Sequence, residues 1–202
     1  GAGIAILAVL AGVAVFLLVK AWPAITADPE QIPGDGGLVA YIAPLAFGTV
    51  LSAAIAIVLA VPMAVAVSLF VTHYAPRRLS QPLGYAIDLL AAIPSIIYGL
   101  WGIAVLGPAV VGLQQWLEEH LGFLPFFAGP ASATGRTMLV VGVVLAVMIL
   151  PIITAVTREV FAQTPRRHIE AALALGATRW EMIRMTVLPF GRSAIIGGSM
   201  LG

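Results

Sequence analysis

The sequence contains no cysteine, a single lysine and very little charge. Acidic and basic residues make up 9% of its 202 residues, whereas hydrophobic residues make up 61%. The absence of cysteine excludes disulfide bonds, a thiolate nucleophile and cysteine-ligated metal sites. A soluble domain of this length needs far more charge to cover its surface, so the composition indicates an integral membrane protein.

The single lysine also excludes a nucleotide site of the P-loop type. Such a site requires the pattern G-x-x-x-x-G-K-[ST], and Lys20 instead ends a long apolar run. If ATP drives this protein, another chain must bind it. The histidines His73, His120 and His168 lie in three different loops without metal-ligand spacing, so we predict no metal site and no catalytic residue.

Long uncharged runs predict several membrane-spanning helices. A spanning helix needs about 20 apolar residues. Runs of that length predict spans at about 1–19, 45–72, 83–106 and 136–157, and a fifth begins near 188. The first span, counted as 1–22 with its interfacial end at Trp22, lacks the basic start of a signal peptide. Residues 27–37 predict an acidic loop, and residues 107–135 predict a loop with an amphipathic or re-entrant piece. The alternation typical of a membrane β-barrel is absent. The expected fold class is therefore all-α, a polytopic transmembrane helical bundle.

The arginines are distributed unevenly between the two sides of this topology. Two loops on one side, 73–82 and 158–184, contain seven of them, while most of the loop carboxylates fall on the other side. Cytoplasmic loops of membrane proteins carry an excess of lysine and arginine. The arginine-rich side is therefore expected to be cytoplasmic.

The second of these loops predicts a short helix followed by an elbow. Pro165 suits a first helical turn and Gly176 suits the residue after a helix end. Helical periodicity places Ile169, Ala172 and Leu173 on one face. Two interpretations remain open. The helix could lie on lipid headgroups, or a soluble partner could grip it as a docking helix.

A second short helix is predicted after the elbow. Its apolar face consists of Trp180, Ile183 and Val187, and Pro189 is expected to set the start of the next span. Both short helices belong to one cytoplasmic connection between two spans.

The spacing of residues in this connection resembles that of a known family. Glu170-Ala171-Ala172, then Gly176, then Leu188-Pro189 match the EAA loop of type I ABC-importer permeases. Thr186 departs from the pattern, because the family usually has isoleucine at that position. The resemblance identifies residues 158–187 as a cytoplasmic coupling loop.

Two longer blocks, 46–102 and 147–202, resemble phosphate-importer permeases of the PstC type. The segments "IPSIIYGLWG" and "REVFAQTP" are the most distinctive parts of these blocks. The resemblance implies a permease core over 41–202, and the family continues beyond this point into a sixth span. It also implies an ATP-driven importer of inorganic phosphate in the bacterial cytoplasmic membrane.

The same resemblance implies the partners of this chain and the residues that serve them. The expected partners are a second, related permease subunit, two ATPase subunits, an extracytoplasmic phosphate-binding protein and membrane lipid, with no nucleic acid. ATP and Mg²⁺ would be bound by the ATPase subunits, and this chain would bind no cofactor. The ATPase-coupling residues would be Arg166, Arg167, Glu170, Ala171, Ala172 and Gly176.

Three alternatives to a phosphate importer remain open for the function of the chain. They are a permease for molybdate or sulfate, a secondary transporter acting alone, and a membrane scaffold.

A few polar residues within the predicted third span are candidates for the pathway or its gate. Asp88 lies within this span, where an ionisable group needs a partner or water, and Arg192 is the partner we expect. An interhelical pair and a role in the gate both remain open. Pro94 can break the span and offer free N–H groups to an anion, with hydroxyls from Ser95 and Tyr98 nearby. A simple kink, with Ser95 bonded back to its own helix, is the competing interpretation.

Overall fold

The computed structural model describes residues 2–28, 32–33, 36–124, 129–130 and 132–202. The regular structure in these residues is entirely helical. The α-helices are α1 (Ala2–Ile25), α2 (Gly37–Leu69), α3 (Arg77–Ala91), α4 (Ser95–Trp101), α5 (Gly107–Leu121), α6 (Met138–Ala162), α7 (Arg166–Ala174), α8 (Arg179–Met182) and α9 (Leu188–Leu201). The expected all-α fold class is confirmed. The predicted loops at 27–37 and 107–135 fall partly on residues outside the described ranges.

Four helical segments in the described part of the chain are long and apolar enough to cross a membrane. These are Ala2–Ile25, Gly37–Tyr74, Ser95–Leu121 and Met138–Ala162. At 1.5 Å per residue each exceeds the roughly 30 Å of a bilayer's hydrocarbon core. The chain is therefore a multi-pass membrane protein.

The chain divides into two compact units, Gly1–Val50 and Leu51–Gly202. The first unit contains α1, whose described residues are all exposed and apolar nearly all round. A helix that is hydrophobic on every side is suited to lipid. The second unit contains the packed core and every residue that the sequence singled out for function.

The core of the second unit is built on α6. Small residues on α2 (Ala56, Ala60 and Ala64) pack against Ala146, Ile149 and Ile153 of α6. Small side chains allow the two backbones to approach closely, as is common between membrane helices. The hydroxyl of Ser68 donates a hydrogen bond of 3.1 Å to the backbone oxygen of Thr154 across the same interface. Helices α2 and α6 run parallel, so both end on the arginine-rich side.

The chain returns from that side as a helix broken at Pro94. Helix α3 ends at Ala91, and α4 begins at Ser95. Asp88 contacts Arg158 of α6, and Gly102 lies so close to Val144 that a Cβ would overlap its side chain. Asp88 and Gly102 are as far apart in sequence as Val144 and Arg158, so both halves run antiparallel to α6. Pro94 therefore lies alongside the interior of α6, and the break predicted there is present.

The third helical segment does not end where the sequence indicated. Helix continues from Ser95 to Leu121, so the loop predicted from residue 107 is wrong for α5. The predicted span ended at about residue 106, but Pro108 does not stop the helix there. A π-helical turn, Gly102–Leu106, joins α4 to α5 without a break.

Each of the three π-helical turns in the described chain ends two residues before a proline. The turns Phe70–Tyr74, Gly102–Leu106 and Ile183–Val187 precede Pro76, Pro108 and Pro189. Proline cannot donate the usual i→i−4 bond and clashes with the carbonyl that would accept it. Widening the preceding turn relieves that conflict at Pro108 and Pro189, which lie within continuous helical paths, whereas Pro76 lies outside the helix that ends at Tyr74.

The same effect corrects the prediction made for Pro189. A separate short helix followed by a new span was expected, but α8, the π turn and α9 form one continuous helical path. The backbone N–H of Leu188 bonds to the oxygen of Ile183, so the helix passes Pro189 without ending. The coupling loop is therefore joined rigidly to the last helix.

Candidate functional site

The predicted coupling loop begins with α7, which is stopped by a Schellman motif at Gly176. The backbone N–H of Gly176 bonds to the oxygen of Leu173 at 3.0 Å, and that of Ala177 bonds to the oxygen of Ala172 at 3.1 Å. Gly176 has φ of +86°, a left-handed conformation that glycine adopts without steric cost. The elbow predicted from Gly176 is confirmed, and its angle is set by hydrogen bonds.

The following helix is started by a capping box. The Thr178 hydroxyl accepts the N–H of Glu181, and the Glu181 carboxylate accepts the N–H of Thr178 at 2.8 Å. Hydrogen bonds from the backbone and then the side chain of Thr178 lower the pKa of Glu181 below its usual value of 4.5. Both sides of the elbow are thus held by local bonds.

One face of this loop is anchored in a buried cluster at the end of the bundle. Leu69, Phe161, Met182, Ile183 and Val187 form the cluster. Ile169 and Ala172 of α7 pack against it, as the periodicity predicted. A displacement of α7 must therefore act directly on the ends of α6 and α9.

Two residues predicted to belong to the apolar faces are exposed instead. Leu173 is 43% exposed, although it lies only one turn from Ile169 on α7. Trp180 is 56% exposed, because it lies in the first turn of α8, before the residues that enter the cluster. Together with Leu175, which is 89% exposed, they are the exposed large apolar residues on the two sides of the elbow, and we call these three residues the elbow surface.

The remaining predicted coupling residues border this surface on α7. Arg166, Arg167, Glu170 and Ala171 are all exposed. They are therefore accessible to a soluble partner, whereas Ala172 serves the internal packing. Thr186, the residue that departs from the family pattern, is partly buried and lies within the last π turn.

Asp88 is paired, but not with the residue predicted from the sequence. Arg158 Nη2 lies 3.0 Å from Oδ1 and 3.1 Å from Oδ2 of Asp88. The expected partner, Arg192, is instead exposed near the start of α9. The reason is helix packing: α3 lies on α6, which carries Arg158, so the pair forms between these two helices.

The break at Pro94 is bridged by a hydrogen bond from the second half of the helix to the first. The hydroxyl of Tyr98 donates to the backbone oxygen of Leu90 at 2.9 Å. Leu90 is in the last turn of α3, and its oxygen also accepts the N–H of Ile93 at 3.2 Å, because Pro94, four residues on, has no N–H to offer. Ser95 is exposed in the first turn of α4. The hydroxyl of Tyr98 thus links α4 to α3 across the break at Pro94, while the side chain of Ser95 remains exposed.

A cleft of about 540 Å³ opens beside the ion pair. Its walls are formed by the π turn after α2, by α3, by the end of α6 and by the start of α7. The polar residues that line it include His73, Gln81, Asp88, Arg158, Glu159 and Arg166. The cleft brings together two predicted sites, since Arg166 belongs to the coupling loop and Asp88 to the broken helix.

Comparison with known proteins decides the family. Residues 56–201 match the family described as binding-protein-dependent transport system inner membrane component. The chain belongs to this family. The match covers the broken helix, α6 and the coupling loop.

Relatives of the chain in several bacteria are named phosphate transport system permease proteins. The chain is 49% identical to "Phosphate transport system permease protein PstC 2" of Mycobacterium bovis, over 100% of the chain and 65% of that protein. It is 48% identical to the PstC protein of Mycobacterium leprae, over 94% of the chain and 62% of the relative. It is 39% identical to that of Mesorhizobium japonicum, over 99% and 64%. The chain thus spans a little under two-thirds of the length of these relatives.

Sequence reasoning missed the partner of Asp88 and the residue that makes the pairing possible. Gly84 precedes Asp88 by one helical turn, so both lie on the same face of α3. An ideal Cβ at Gly84 would overlap Nη1 of Arg158 and come within 3.3 Å of its Cζ. The spacing of Gly84 and Asp88 was the available signal, but the sequence alone does not show which arginine crosses that face.

Proposed function

We propose that this chain is a transmembrane permease subunit of an ATP-driven importer of inorganic phosphate, located in the bacterial cytoplasmic membrane. The observation that carries the proposal is the elbow at Gly176. One face of it is exposed, while the other is buried against the ends of α6 and α9. Relatives that align along nearly the whole chain are named phosphate transport permeases, which supports phosphate as the substrate.

The energy for transport would be supplied by other chains. The sequence contains no P-loop, so two ATPase subunits would bind ATP and Mg²⁺ and dock on the elbow surface. Leu173, Leu175 and Trp180 offer apolar contact, and the exposed Arg166 and Arg167 offer charge to acidic groups. This chain would carry out no bond chemistry and bind no cofactor.

The packing of the loop explains how a docked subunit would act on the membrane helices. Ile169 and Ala172 are in contact with the cluster that contains Phe161 and Val187. The last helix continues from Arg179 without a hinge. A swing of the ATPase subunits would therefore tilt α6 and α9 together.

The substrate path would run along the broken helix, between this chain and a second permease subunit. Pro94 interrupts the helix alongside the interior of α6, and Ser95 is exposed at the start of α4. An extracytoplasmic phosphate-binding protein would deliver the anion to this path. The carboxylate of Asp88 repels phosphate, so its role would be structural or mechanical.

Uptake by the reconstituted complex tests the substrate. We expect ATP-dependent accumulation of labelled phosphate in proteoliposomes that contain both permease subunits, the ATPase and the binding protein. Unlabelled phosphate should compete, whereas molybdate and sulfate should not. Stronger competition by molybdate or sulfate would reassign the importer to that oxyanion. Accumulation without ATPase subunits would contradict the proposal and favour a secondary transporter.

Co-purification tests the coupling. A proline at position 176 cannot adopt the positive φ of the elbow. We expect Gly176→Pro to abolish co-purification of the ATPase with the tagged permease. Gly112→Ala is the matched control, because a Cβ at that position meets nothing within 4 Å. Retention of the ATPase by Gly176→Pro would show that it docks elsewhere.

A further inference from the structure

The ion pair between Asp88 and Arg158 connects two parts of the molecule that must communicate if the chain is a coupled transporter. Arg158 lies in the last turns of α6, which leads directly into α7. Asp88 lies in the last turns of α3, just before the break at Pro94. The pair is a direct side-chain link between the helix that carries the coupling loop and the broken helix.

The pair depends on the absence of a side chain at Gly84. The guanidinium of Arg158 crosses α3 directly over this residue, which is buried beneath it. A Cβ at Gly84 would overlap Nη1, while Nη2 is the atom that bonds to Asp88. The obstructed group is the far end of a flexible side chain, so an added methyl group would displace the guanidinium and leave the helices in place.

The exposure of the pair argues against a purely stabilising role. The Asp88 side chain is 50% exposed and that of Arg158 is 22% exposed, and ion pairs this close to water contribute little to stability. The pair also lies on the wall of the cleft of about 540 Å³, so the guanidinium has room to leave. A link of this kind can break and re-form.

We propose that Gly84 is a positioning residue, which holds Arg158 against Asp88 so that movement of the coupling loop is transmitted through α6 to the broken helix. The substrate is touched by neither partner. Breaking the link would leave both the fold and ATPase docking intact and would separate ATP hydrolysis from transport. This inference rests on the proposed function, because it assigns the link a part in ATP-driven uptake.

The test measures coupling in the full complex, as labelled anion transported per ATP hydrolysed in proteoliposomes. We expect Gly84→Ala and Asp88→Asn each to reduce this ratio by about fivefold or more, with normal co-purification of the ATPase. Gly112→Ala should match the wild type, since its new Cβ meets nothing within 4 Å. If Gly84 acts only through the pair, the double variant Gly84→Ala/Asp88→Asn should be no worse than Asp88→Asn alone.

Two results would overturn the proposal. One is a wild-type ratio in Gly84→Ala. The other is a double variant whose loss equals the product of the two single losses, because Gly84 would then act independently of Asp88.

A measurement that does not depend on transport distinguishes failure of this inference from failure of the proposed function. In the purified complex, ATPase activity with the binding protein present should rise or fall equally in the two single variants and the double. If wild-type complex fails to accumulate phosphate, the substrate assignment fails, while this ATPase comparison still decides the link.

Discussion

The ring of Phe161 on α6 lies against the bare backbone of Gly191 on α9. An ideal Cβ at Gly191 would overlap the ring atoms Cδ1 and Cε1. Phe161 is 1% exposed and is held by the cluster that anchors the coupling loop. The contact therefore sets how closely the last helix approaches α6, at the level where α7 begins.

Replacing Gly191 by alanine should destabilise the protein, because the buried ring has no space to move. Overpacking of this kind costs about 1–3 kcal/mol. The matched control is Gly197→Ala in the same helix, where a Cβ meets nothing within 4 Å. The control should be neutral or stabilising, since alanine favours helix by up to about 1 kcal/mol. Thermal unfolding in lipid nanodiscs measures both, and equal melting temperatures would contradict the packing described.

Substitutions at Gly176 should weaken ATPase binding in proportion to the strain that a left-handed backbone imposes on the new residue. A new Cβ there meets nothing within 4 Å, so only the φ of +86° penalises a side chain. We expect ATPase co-purification to fall in the order glycine, asparagine, alanine, valine, because asparagine tolerates this region best and β-branched residues worst. An alanine variant costs about 1–2 kcal/mol by this argument. Equal binding by the asparagine and valine variants would show that the elbow angle does not matter.

The capping box at Thr178 should weaken in acid. The pKa of Glu181 is held below its usual value of 4.5 by hydrogen bonds from Thr178. A carboxylate whose pKa is lower in the folded state stabilises that state at pH values above its pKa in the unfolded chain. This stabilisation is lost as the pH falls through the folded-state pKa. Hydrogen exchange at the Thr178 amide, corrected for its intrinsic pH dependence, should show protection at neutral pH and its loss below about pH 4.5. The change should be absent in Glu181→Gln.

Removing the Tyr98 hydroxyl should affect the movement of the broken helix and not the affinity for substrate. The hydroxyl is bonded to the backbone oxygen of Leu90 at 2.9 Å, so it is already engaged across the break. A bond of this type contributes about 1 kcal/mol. Tyr98→Phe should therefore change the maximal uptake rate by up to about fivefold with an unchanged KM for phosphate. A raised KM with an unchanged maximal rate would place the hydroxyl in the substrate path.

Replacing Ser95 by alanine tests whether its hydroxyl contacts the substrate. Its side chain is exposed at the start of α4, and it is the predicted pathway hydroxyl that remains accessible. If it contacts the anion, Ser95→Ala should raise the KM for phosphate, with threonine as the conservative control. Wild-type uptake kinetics in Ser95→Ala would remove this residue from the path.

The parts of the fold that were predicted correctly depend on local or compositional features. Uncharged runs determine which helices suit a membrane, and the left-handed preference of glycine made the elbow at Gly176 predictable. Ile169 and Ala172 were assigned to the packed face by periodicity alone. These features are properties of short segments, so they do not depend on which helices become neighbours.

The errors arose where a neighbour decides the outcome. The third span was predicted to end at about residue 106 and Pro189 to set the start of the next span, but the π turns Gly102–Leu106 and Ile183–Val187 carry the helices through. Trp180 was predicted to share one face with Ile183 and Val187, but it is exposed whereas those two residues are buried in the cluster. At Trp180 the packing around the residue determined the result, whereas at the prolines a local π turn did.

The amino-acid sequence by itself determined that this protein is a multi-pass helical membrane protein with its arginines gathered on one side. It also determined the elbow, because backbone freedom at Gly176 is a local property. Only the tertiary structure decided that Asp88 pairs with Arg158. That pairing depends on the packing of α3 against α6 and on the space that Gly84 leaves for the guanidinium. Both are contacts between two segments, so neither can be inferred from one segment alone.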